Sequence, residues 1–418
     1  MEKYSYLNSR LKVSLSFLEA SVLPTVMFVS ILILSIILSI LLLKDINLSF
    51  QSHLHNKKQS RLNIMSAFNI YATDSIYGNS IIDSSEIELV KDLKSKMIIK
   101  KSYWGIYEVI KIVDLAEGYS EIFLSGNKFE SVYKPVIWVS NNKKYLDLAG
   151  DTKINGDIYS GLNIFYSRVN SDYYRGEQIE KERIKKSNEV MPSVLNDIKE
   201  KVNKIFENIN NNSFIESVRH YDNSFNNNTV VIKSNTKLDA TYIGNLIIVG
   251  KEIQIERNAK LEGVIIVANK VIIKQGCSVE CQIFATDSVI AEKHVKMRYP
   301  SGIYLRAEHS KNPGIIIKDS ANIKGYIVAD IMGQPSSIKA VYSQSDKSKV
   351  YGLLYVNGIA QLQGKMRGAA YLKESYYFSK QGYYTNILYN VHLERDTLIN
   401  YPILMNANYN REVIKWLN

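Results

Sequence analysis

The chain has 418 residues, which is enough for two or three domains with a sizeable core. Hydrophobic residues make up 46% and charged residues 22%, a balance that excludes a wholly disordered protein. The formal net charge of +11 favours anionic partners such as lipid head groups, cell-wall polymers or nucleic acid, although lysines that merely cover a surface give the same excess.

The first predicted element is a membrane-spanning helix at residues 21–43, where the sequence SVLPTVMFVSILILSIILSILLL contains no charged residue. At about 1.5 Å rise per residue, this segment is long enough to cross a hydrocarbon core about 30 Å thick. It continues directly into KDINLSF without the small-residue cleavage site of a signal peptide. We therefore expect a retained single-pass anchor in contact with the lipid bilayer.

The orientation of this anchor is open, because lysine and arginine residues flank it on both sides and the positive-inside rule does not distinguish the two orientations. A short head before a single span is typical of a signal anchor. We therefore expect residues 1–20 to form a cytoplasmic head, with the bulk of the chain on the extracytoplasmic side.

The segment KVSLSFLEASVLPTVMF, which begins at Lys12, resembles the leader and first turns of type IV pilin-like proteins. Basic residues and a small residue precede an apolar helix that contains a single acid, Glu19. Cleavage between Ser14 and Leu15 would make Glu19 the fifth residue, and the resemblance then implies an assembly residue that pairs with the N-terminal amine of a neighbouring subunit. The chain lacks the family's glycine before the cleavage site and has Pro24 early in the span. An ordinary anchor with an interfacial glutamate is the alternative.

Residues 44–145 are predicted to form an amphipathic helix followed by a β meander. Apolar residues recur with helical spacing at Ile64, Met65, Phe68, Tyr71 and Ala72. Alternating stretches then indicate strands at 103–113, 120–126 and 134–141. The result is a small α+β region whose content is consistent with a pilin-like head, although many folds share it.

Residues 146–370 are predicted to form a three-sided parallel β-solenoid with about 18 residues per coil. The blocks LIIVGKEIQIERNAKLEG (246–263) and VIIVANKVIIKQGCSVEC (264–281) match position by position, and residues 282–299 continue the pattern. Aliphatic pairs recur at regular intervals, and the two residues of a pair, separated by one position in a strand, point to the same side. Three short strands and three corners then make one coil, and stacked coils bury a continuous apolar column. The chain would therefore be mainly β.

Each aliphatic pair is interpreted as the inward side of one strand. The pairs are Ile247 and Val249, Ile253 and Ile255, Ala259 and Leu261 in the first block; Ile265 and Val267, Val271 and Ile273, Cys277 and Val279 in the second; and Ile283 and Ala285, Val289 and Ala291, Val295 and Met297 in the third. The solenoid prediction depends on this unbroken series of apolar pairs.

Two segments interrupt or follow the repeat. A helical insertion is predicted at about 157–228, because Leu195, Ile198, Val202 and Ile205 form one helical stripe. We expect this helix to cover an end of the solenoid and to prevent edge-to-edge strand addition. Residues 371–418 are rich in aromatic residues and not periodic, and they are predicted to form a C-terminal cap.

The coils that begin at Ile253 and Val271 resemble bactofilins, which are polymer-forming bacterial scaffold proteins. The layout as a whole resembles uncharacterised bacterial membrane-anchored proteins with a solenoid body. These resemblances imply a location in the bacterial inner membrane with the body in the periplasm. The period of the repeat also matches hexapeptide-repeat acyltransferases, which need a catalytic histidine between coils, but His294 and His309 are interpreted as surface residues.

The remaining reactive groups do not form a recognisable motif. Cys277 and Cys281, the only cysteines, are interpreted as core residues. The predicted outward charges mix signs, as on a solvated face: Glu252, Glu256, Lys270, Lys274, Glu280 and Glu292. No catalytic, cofactor-binding or metal site is predicted, and because no long basic run stands out, specific nucleic acid binding is not expected.

The sequence therefore favours a non-enzymatic, membrane-anchored scaffold of the bacterial cell envelope that presents a β-solenoid for self-assembly or partner docking. Expected partners are the bilayer through residues 21–43, further copies of the chain, other envelope-complex subunits and anionic cell-wall polymers. One alternative is a minor pilin-like subunit of an envelope filament or secretion machine. Another is an envelope glycan-binding protein or glycan-active enzyme.

Overall fold

The computed structural model describes residues 3–73, 84–89, 96–128, 135–207, 215–216, 220–234, 236–308, 312–333, 338–396, 399–405 and 411–417. Residues 3–21 are described by their backbone alone. Strands account for 53% of the residues, so the protein is mainly β. Within the described ranges, the helices are α1 (Lys3–Thr73), α2 (Asn196–Glu207) and one 3-10 turn (Lys181–Arg183).

Helix α1 joins the predicted anchor and the predicted amphipathic helix into one element. It contains a segment that is long and apolar enough to cross a membrane. Residues 44–59 contain neither glycine nor a further proline, so nothing interrupts the helix beyond the apolar segment. All described side chains before Ser60 are exposed. At about 1.5 Å rise per residue, residues 44–59 place roughly 24 Å of exposed helix between the apolar segment and the folded body.

The end of α1 packs on a five-stranded antiparallel sheet. Its strands are β1 (Ser84–Glu88), β2 (Lys96–Trp104), β3 (Tyr107–Asp114), β4 (Ser120–Asn127) and β30 (Arg411–Leu417), and they lie side by side in that order. Ile64, Phe68 and Tyr71 are buried against this sheet, and the ring of Phe68 meets that of Phe123 edge-on at 4.9 Å. The spacing of apolar residues in α1 therefore corresponds to the face that it buries.

A larger sheet of mostly parallel strands closes on itself. Its long strands are β18 (Leu246–Ile255), β19 (Lys260–Ile273), β20 (Ser278–Ala291), β21 (Lys296–Ala307), β23 (Asn322–Ile331), β25 (Lys349–Gln361) and β26 (Gly364–Ser379). Ile253 pairs with Val271, which pairs with Val289. At these residues the offset between neighbouring strands therefore equals the length of the sequence repeat. Where Ile266 pairs with Ile283, the offset is one residue shorter, because the pairing of β19 with β20 contains register shifts.

Shorter strands complete the architecture. Before α2 they are β5 (Ile137–Val139), β6 (Tyr145–Ala149), β7 (Lys153–Asn155), β8 (Ile158–Ser160), β9 (Asn163–Tyr166), β10 (Arg168–Val169), β11 (Asp172–Tyr173) and β12 (Ile184–Lys186). After α2 they are β13 (Ile215–Glu216), β14 (His220–Asn223), β15 (Val230–Lys233), β16 (Lys237–Leu238), β17 (Thr241–Gly244), β22 (Gly314–Ile317), β24 (Tyr342–Gln344), β27 (Gly382–Thr385), β28 (Ile387–Tyr389) and β29 (Val391–Glu394).

Residues 137–186 stack on the end of the larger sheet that is formed by β26 and β29, which are distant from them in sequence. Ile137 of β5 pairs with Ala370 of β26, and Lys153 of β7 pairs with His392 of β29. The strand predicted at 134–141 therefore belongs to this sheet and not to the meander. Residues 371–418 do more than cap the sheet. In this segment β29 extends the parallel sheet and β30 pairs with β4.

The predicted inward positions are wrong on one side of the sheet. Ile247 and Val249, like Ile265 and Val267, lie on the outer side, whereas the alternate residues of the same strands fill the interior: Leu246, Ile248, Val264 and Ile266. Both sides of these strands are buried, so the sequence is a continuous aliphatic run that does not reveal its phase. A shift of one residue moves a side chain to the opposite face. The remaining predicted pairs lie in the interior.

The outer side of these strands is covered by α2 and by the hairpin between β2 and β3. Ile198, Val202 and Phe206 of α2 are buried, and Phe206 meets Phe284 edge-on with ring centroids 6.3 Å apart. The expectation that this helix covers an end of the sheet is therefore wrong, because α2 covers a side. The buried face of α2 is the one predicted from its apolar stripe, but the sequence does not specify which surface this face packs against.

Gln282 holds the β2–β3 hairpin on this outer side. Its Nε2 donates to the carbonyl of Trp104 at 2.8 Å, and its Oε1 accepts from the N–H of Ile106 at 3.2 Å and the hydroxyl of Tyr326 at 2.8 Å. Gly105 lies between the two hairpin residues with φ +65°, and a Cβ there would overlap the Gln282 side chain. The hairpin is thus fixed by a buried amide at a position that is aliphatic in the two preceding blocks.

Replacement Gln282→Leu is expected to lower the free energy of unfolding by about 2–4 kcal/mol, because buried groups of Trp104 and Ile106 lose their partner. Denaturant unfolding of the full chain in detergent, followed by tryptophan fluorescence, measures the effect. The same change at the exposed Gln275 is the control. Equal stability of the two variants would contradict the assigned role of Gln282.

Candidate functional site

The structure describes only some of the residues singled out from sequence. Glu19 lies on helix α1, but its side chain is outside the described part of the chain. His294 is exposed and has φ +61° in a turn, and His309 falls outside the described residues. His294 therefore lies at the surface, as interpreted from sequence.

Cys277 and Cys281 are both buried in the interior of the larger sheet and are not linked by a disulfide. The thiol of Cys277 donates to the carbonyl of Ile255 at 3.2 Å. Burial raises the pKa of Cys277 to about 11, and burial also raises the pKa of Cys281. Both side chains are therefore thiols at neutral pH, with the packing role expected of core cysteines.

Several of the charged residues predicted to point outward form ion pairs with side chains on other strands. Lys270 contacts Glu252 with N and O atoms 3.1 Å apart, and Glu280 contacts Lys415 of β30 at 2.5 Å. The pair between the partly exposed Lys270 and Glu252 contributes about 0–1 kcal/mol. The prediction that Glu280 points outward is wrong, because its side chain is buried beside Lys415, and this burial raises the pKa of Glu280.

A groove that sequence did not indicate lies where residues 137–186 stack on β26 and β29. It consists of two adjoining cavities of about 540 and 490 Å³, and Arg175 and His392 line both. We call it the junction groove. Its basic lining residues are Lys153, Arg175, Arg183, Lys347, Lys349, Lys365 and His392.

Asp151 connects the two chain segments that form the junction groove. Its carboxylate lies 3.0 Å from Lys153 Nζ and 3.0 Å from His392 Nε2, and its N–H donates to Asn390 Oδ1 at 2.8 Å. The hydrogen bond from Lys153, with a smaller contribution from His392, holds the pKa of Asp151 below its usual value. Asn390 has φ +54°, a conformation that asparagine tolerates better than most residues. The wall of the groove is thus built from both segments.

The backbone around the groove is closely packed. Arg183 Nη2 donates to the carbonyl of Ile154 at 2.6 Å and to that of Gly156 at 3.0 Å. A Cβ on Gly364, whose φ is +68°, would lie 2.6–2.8 Å from three carbonyl oxygens of residues 345–348. The groove therefore has a fixed floor, and the mixed donors and carboxylates on its walls can bind anions and hydroxyl groups.

A second polar cluster is buried between α1 and the antiparallel sheet. Glu108 accepts from Arg411 Nε at 2.6 Å, from Lys101 Nζ at 2.9 Å and from the hydroxyl of Tyr71 at 3.3 Å. The side chains of Glu108 and Arg411 are each only 2% exposed. Burial opposes ionisation of Glu108, but Arg411 and Lys101 outweigh it and hold its pKa below the usual value. This cluster joins α1, β2, β3 and β30, and its contacts are those of a structural ion pair.

Sequence reasoning missed both sites for the same reason. Asp151 and His392 are 241 positions apart, and Glu108 and Arg411 are 303 positions apart. No local motif links such residues, and only the pairing of β7 with β29 and of β4 with β30 brings them together. The lysines that align on neighbouring strands offer a signal, but it becomes visible only when the register is known.

Comparison with protein-family models, curated proteins and solved structures finds no match for the chain. Within the described ranges, no group of three or more histidine, cysteine, aspartate or glutamate residues could hold a metal ion. The expectation that the protein uses neither metal nor cofactor stays a prediction. Any functional assignment therefore depends on the fold and on the two polar sites.

The buried Glu108–Arg411 pair allows a double-mutant test. Arg411→Met is expected to destabilise the full chain by about 3–5 kcal/mol, because it leaves a buried carboxylate short of one partner. The double variant Glu108→Leu, Arg411→Met is expected to lose less than the sum of the two single variants. Denaturant unfolding in detergent measures all three. Additive losses would show that the two side chains do not act as a pair.

Proposed function

We propose that the chain is a non-enzymatic, membrane-anchored scaffold of the bacterial cell envelope, whose parallel strands wind as a three-sided β-solenoid with one sequence repeat per coil. The observation that carries this proposal is the constant register from Ile253 through Val271 to Val289 around an aliphatic interior. Each strand pairs with the one a full repeat away, as stacked coils require. Such a body offers a long, rigid surface for partners.

Helix α1 supports the anchoring part of the proposal. It runs without a break from the apolar segment into the body, where its last turns are buried on the antiparallel sheet. A continuous helix transmits the orientation of the anchor to the body better than a flexible linker would. In the proposed arrangement, residues 21–43 cross the bacterial inner membrane and the body stands in the periplasm.

The mode of assembly follows from the ends of the larger sheet. At the end formed by residues 137–186, Arg183 donates to the carbonyl of Ile154 in β7 and to that of Gly156 just after it, and Tyr174 and Ile179 pack against the interior. Occupied carbonyls and a covered interior disfavour strand addition at this end. We therefore expect copies of the chain to associate through lateral contacts. The resemblance to bactofilins then concerns the repeat and not the mode of assembly.

The scaffold proposal predicts that the full chain associates in neutral detergent as its concentration rises, because the anchor and lateral surfaces remain available to other copies. Light scattering and negative-stain electron microscopy measure the particle size. Particles that contain one chain at every concentration would contradict self-assembly. A reporter fused to the N-terminus or to the C-terminus of the full chain, assayed in cells, tests the periplasmic orientation separately.

A pilin-like subunit is the second candidate, favoured by one observation. The N-terminal helix is continuous from Lys3 to Thr73 and packs its last turns on an antiparallel sheet, an arrangement consistent with a pilin-like head. In this alternative, Glu19 would pair with the N-terminal amine of a neighbouring subunit after cleavage between Ser14 and Leu15.

The pilin-like alternative predicts that the mature protein begins at Leu15. Mass spectrometry of the N-terminal peptide from membranes decides between the two candidates, because a scaffold with a signal anchor retains the residues before Leu15. An N-terminus upstream of Leu15 would remove the pilin-like alternative. In that case Glu19→Gln should leave the particle size unchanged.

A further inference from the structure

The register of the parallel strands aligns basic side chains from five strands on one surface. We call this set the basic ladder; in spatial order it comprises Lys296, Lys349, Lys365, His392 and Lys153. Lys349 pairs with Lys365, Lys365 pairs with His392, and His392 pairs with Lys153. Asn322 is the one intervening residue, between Lys296 and Lys349. At about 4.8 Å between adjacent strands, the basic ladder is roughly 24 Å long.

The charges of the basic ladder are only partly neutralised. Lys296, Lys349 and Lys153 are exposed, and Lys365 and His392 are half-buried. Asp151 contacts both Lys153 and His392, and Glu394 contacts Lys365 at 2.9 Å. In the described part of the chain, Lys296 and Lys349 form no ion pair. A line of positive potential therefore runs along this surface.

One end of the basic ladder forms a wall of the junction groove. Lys349, Lys365 and His392 line the cavity of about 490 Å³, and Lys153 and His392 line the cavity of about 540 Å³. Arg175 lines both cavities from the opposite segment. The groove thus continues the line of charge into a recess of the size that binding sites usually have.

Aromatic and arginine side chains lie beside the line of lysines. Tyr351 is two positions from Lys349 on the same side of β25, with the guanidinium of Arg367 5.9 Å from its ring centroid. Tyr174 lines the larger cavity. Arginine binds carboxylates through two parallel hydrogen bonds, and a tyrosine ring offers an apolar face with a polar edge.

We propose that the basic ladder and the junction groove bind a linear polysaccharide that carries carboxylates on its sugar units. A charge on each unit of a sugar chain repeats at about the spacing of neighbouring strands, so several carboxylates meet successive basic side chains. Hydroxyl groups of the sugars meet Asp151 and Glu394, which accept hydrogen bonds, and the apolar faces of sugar rings meet Tyr174 and Tyr351. A chain of phosphates uses the lysines but not these carboxylates and rings.

This proposal rests on the proposed function, because the same parallel body carries the ladder and a periplasmic location exposes it to envelope polysaccharides. The test uses the full chain in a polyoxyethylene detergent, which contains no sugar. The probe is a fluorescent oligogalacturonate, and its anisotropy is measured against protein concentration at low and high ionic strength. The methyl-ester form of the same oligomer keeps the sugar and removes the charge.

The decisive variant is Lys296→Gln, Lys349→Gln, because both side chains are exposed and the change leaves the ion pairs of the groove intact. Each exposed charge contact contributes little by itself, so the loss of two is expected to lower the affinity roughly tenfold. The matched control is Lys237→Gln, Lys251→Gln, which removes the same charge from exposed positions outside the ladder that form no ion pair within the described residues. The control is expected to stay within twofold of the wild type.

Three results would overturn the proposal: equal weakening by both double variants, equal binding of the methyl ester, or equally tight binding of polyphosphate or single-stranded DNA. The first would mean that only net charge matters, and the last would make the surface a general polyanion site. Light scattering on the same samples keeps the two proposals apart. Polysaccharide binding by a strictly monomeric protein would contradict self-assembly alone, and assembly without binding would contradict the ligand alone.

Discussion

The fold depends on one constraint, which is that the central parallel strands pair on both edges while both of their faces are buried. The interior face is filled by residues such as Ile248 and Ile266, and the outer face by Ile247 and Ile265. A strand in this position cannot tolerate solvent on either face, so α2 and the β2–β3 hairpin are required parts of the body. Gln282 is one of the polar exceptions, and its buried amide holds that hairpin in place.

The same register aligns side chains of one chemical type in columns that run across the strands. A position in one strand faces the corresponding position in the next, so a preference for one residue type repeats along the sheet. In the interior the repeated type is aliphatic, on the covered side it is aliphatic or aromatic, and on one exposed side it is basic. The junction groove arises where two such columns from distant parts of the chain meet.

The sequence predicts the length of the repeat. It does not predict which residues of each strand face the interior, or which strands close the sheet. The length of the repeat follows from the pairs at Ile253, Val271 and Val289, which are buried as predicted. At Ile247 and Ile265 the prediction is wrong, because an unbroken aliphatic run carries no alternation. The junction groove could not be predicted from the sequence for another reason. His392 and Lys153 become neighbours only through the pairing of β29 with β7, which no local sequence pattern encodes. Helix α2 shows a third limit, since its buried stripe was readable but its receiving surface was not.

The stacking of residues 137–186 on β26 imposes an order on biogenesis. Ile137 leaves the ribosome long before its partner Ala370. Until Ala370 follows, the early strands have unsatisfied edges, and contacts so distant in sequence form late in folding. A chain that stops before β26 would keep those edges open towards other nascent chains. The residues synthesised last thus determine whether the early strands pair within their own chain or with a strand of another chain.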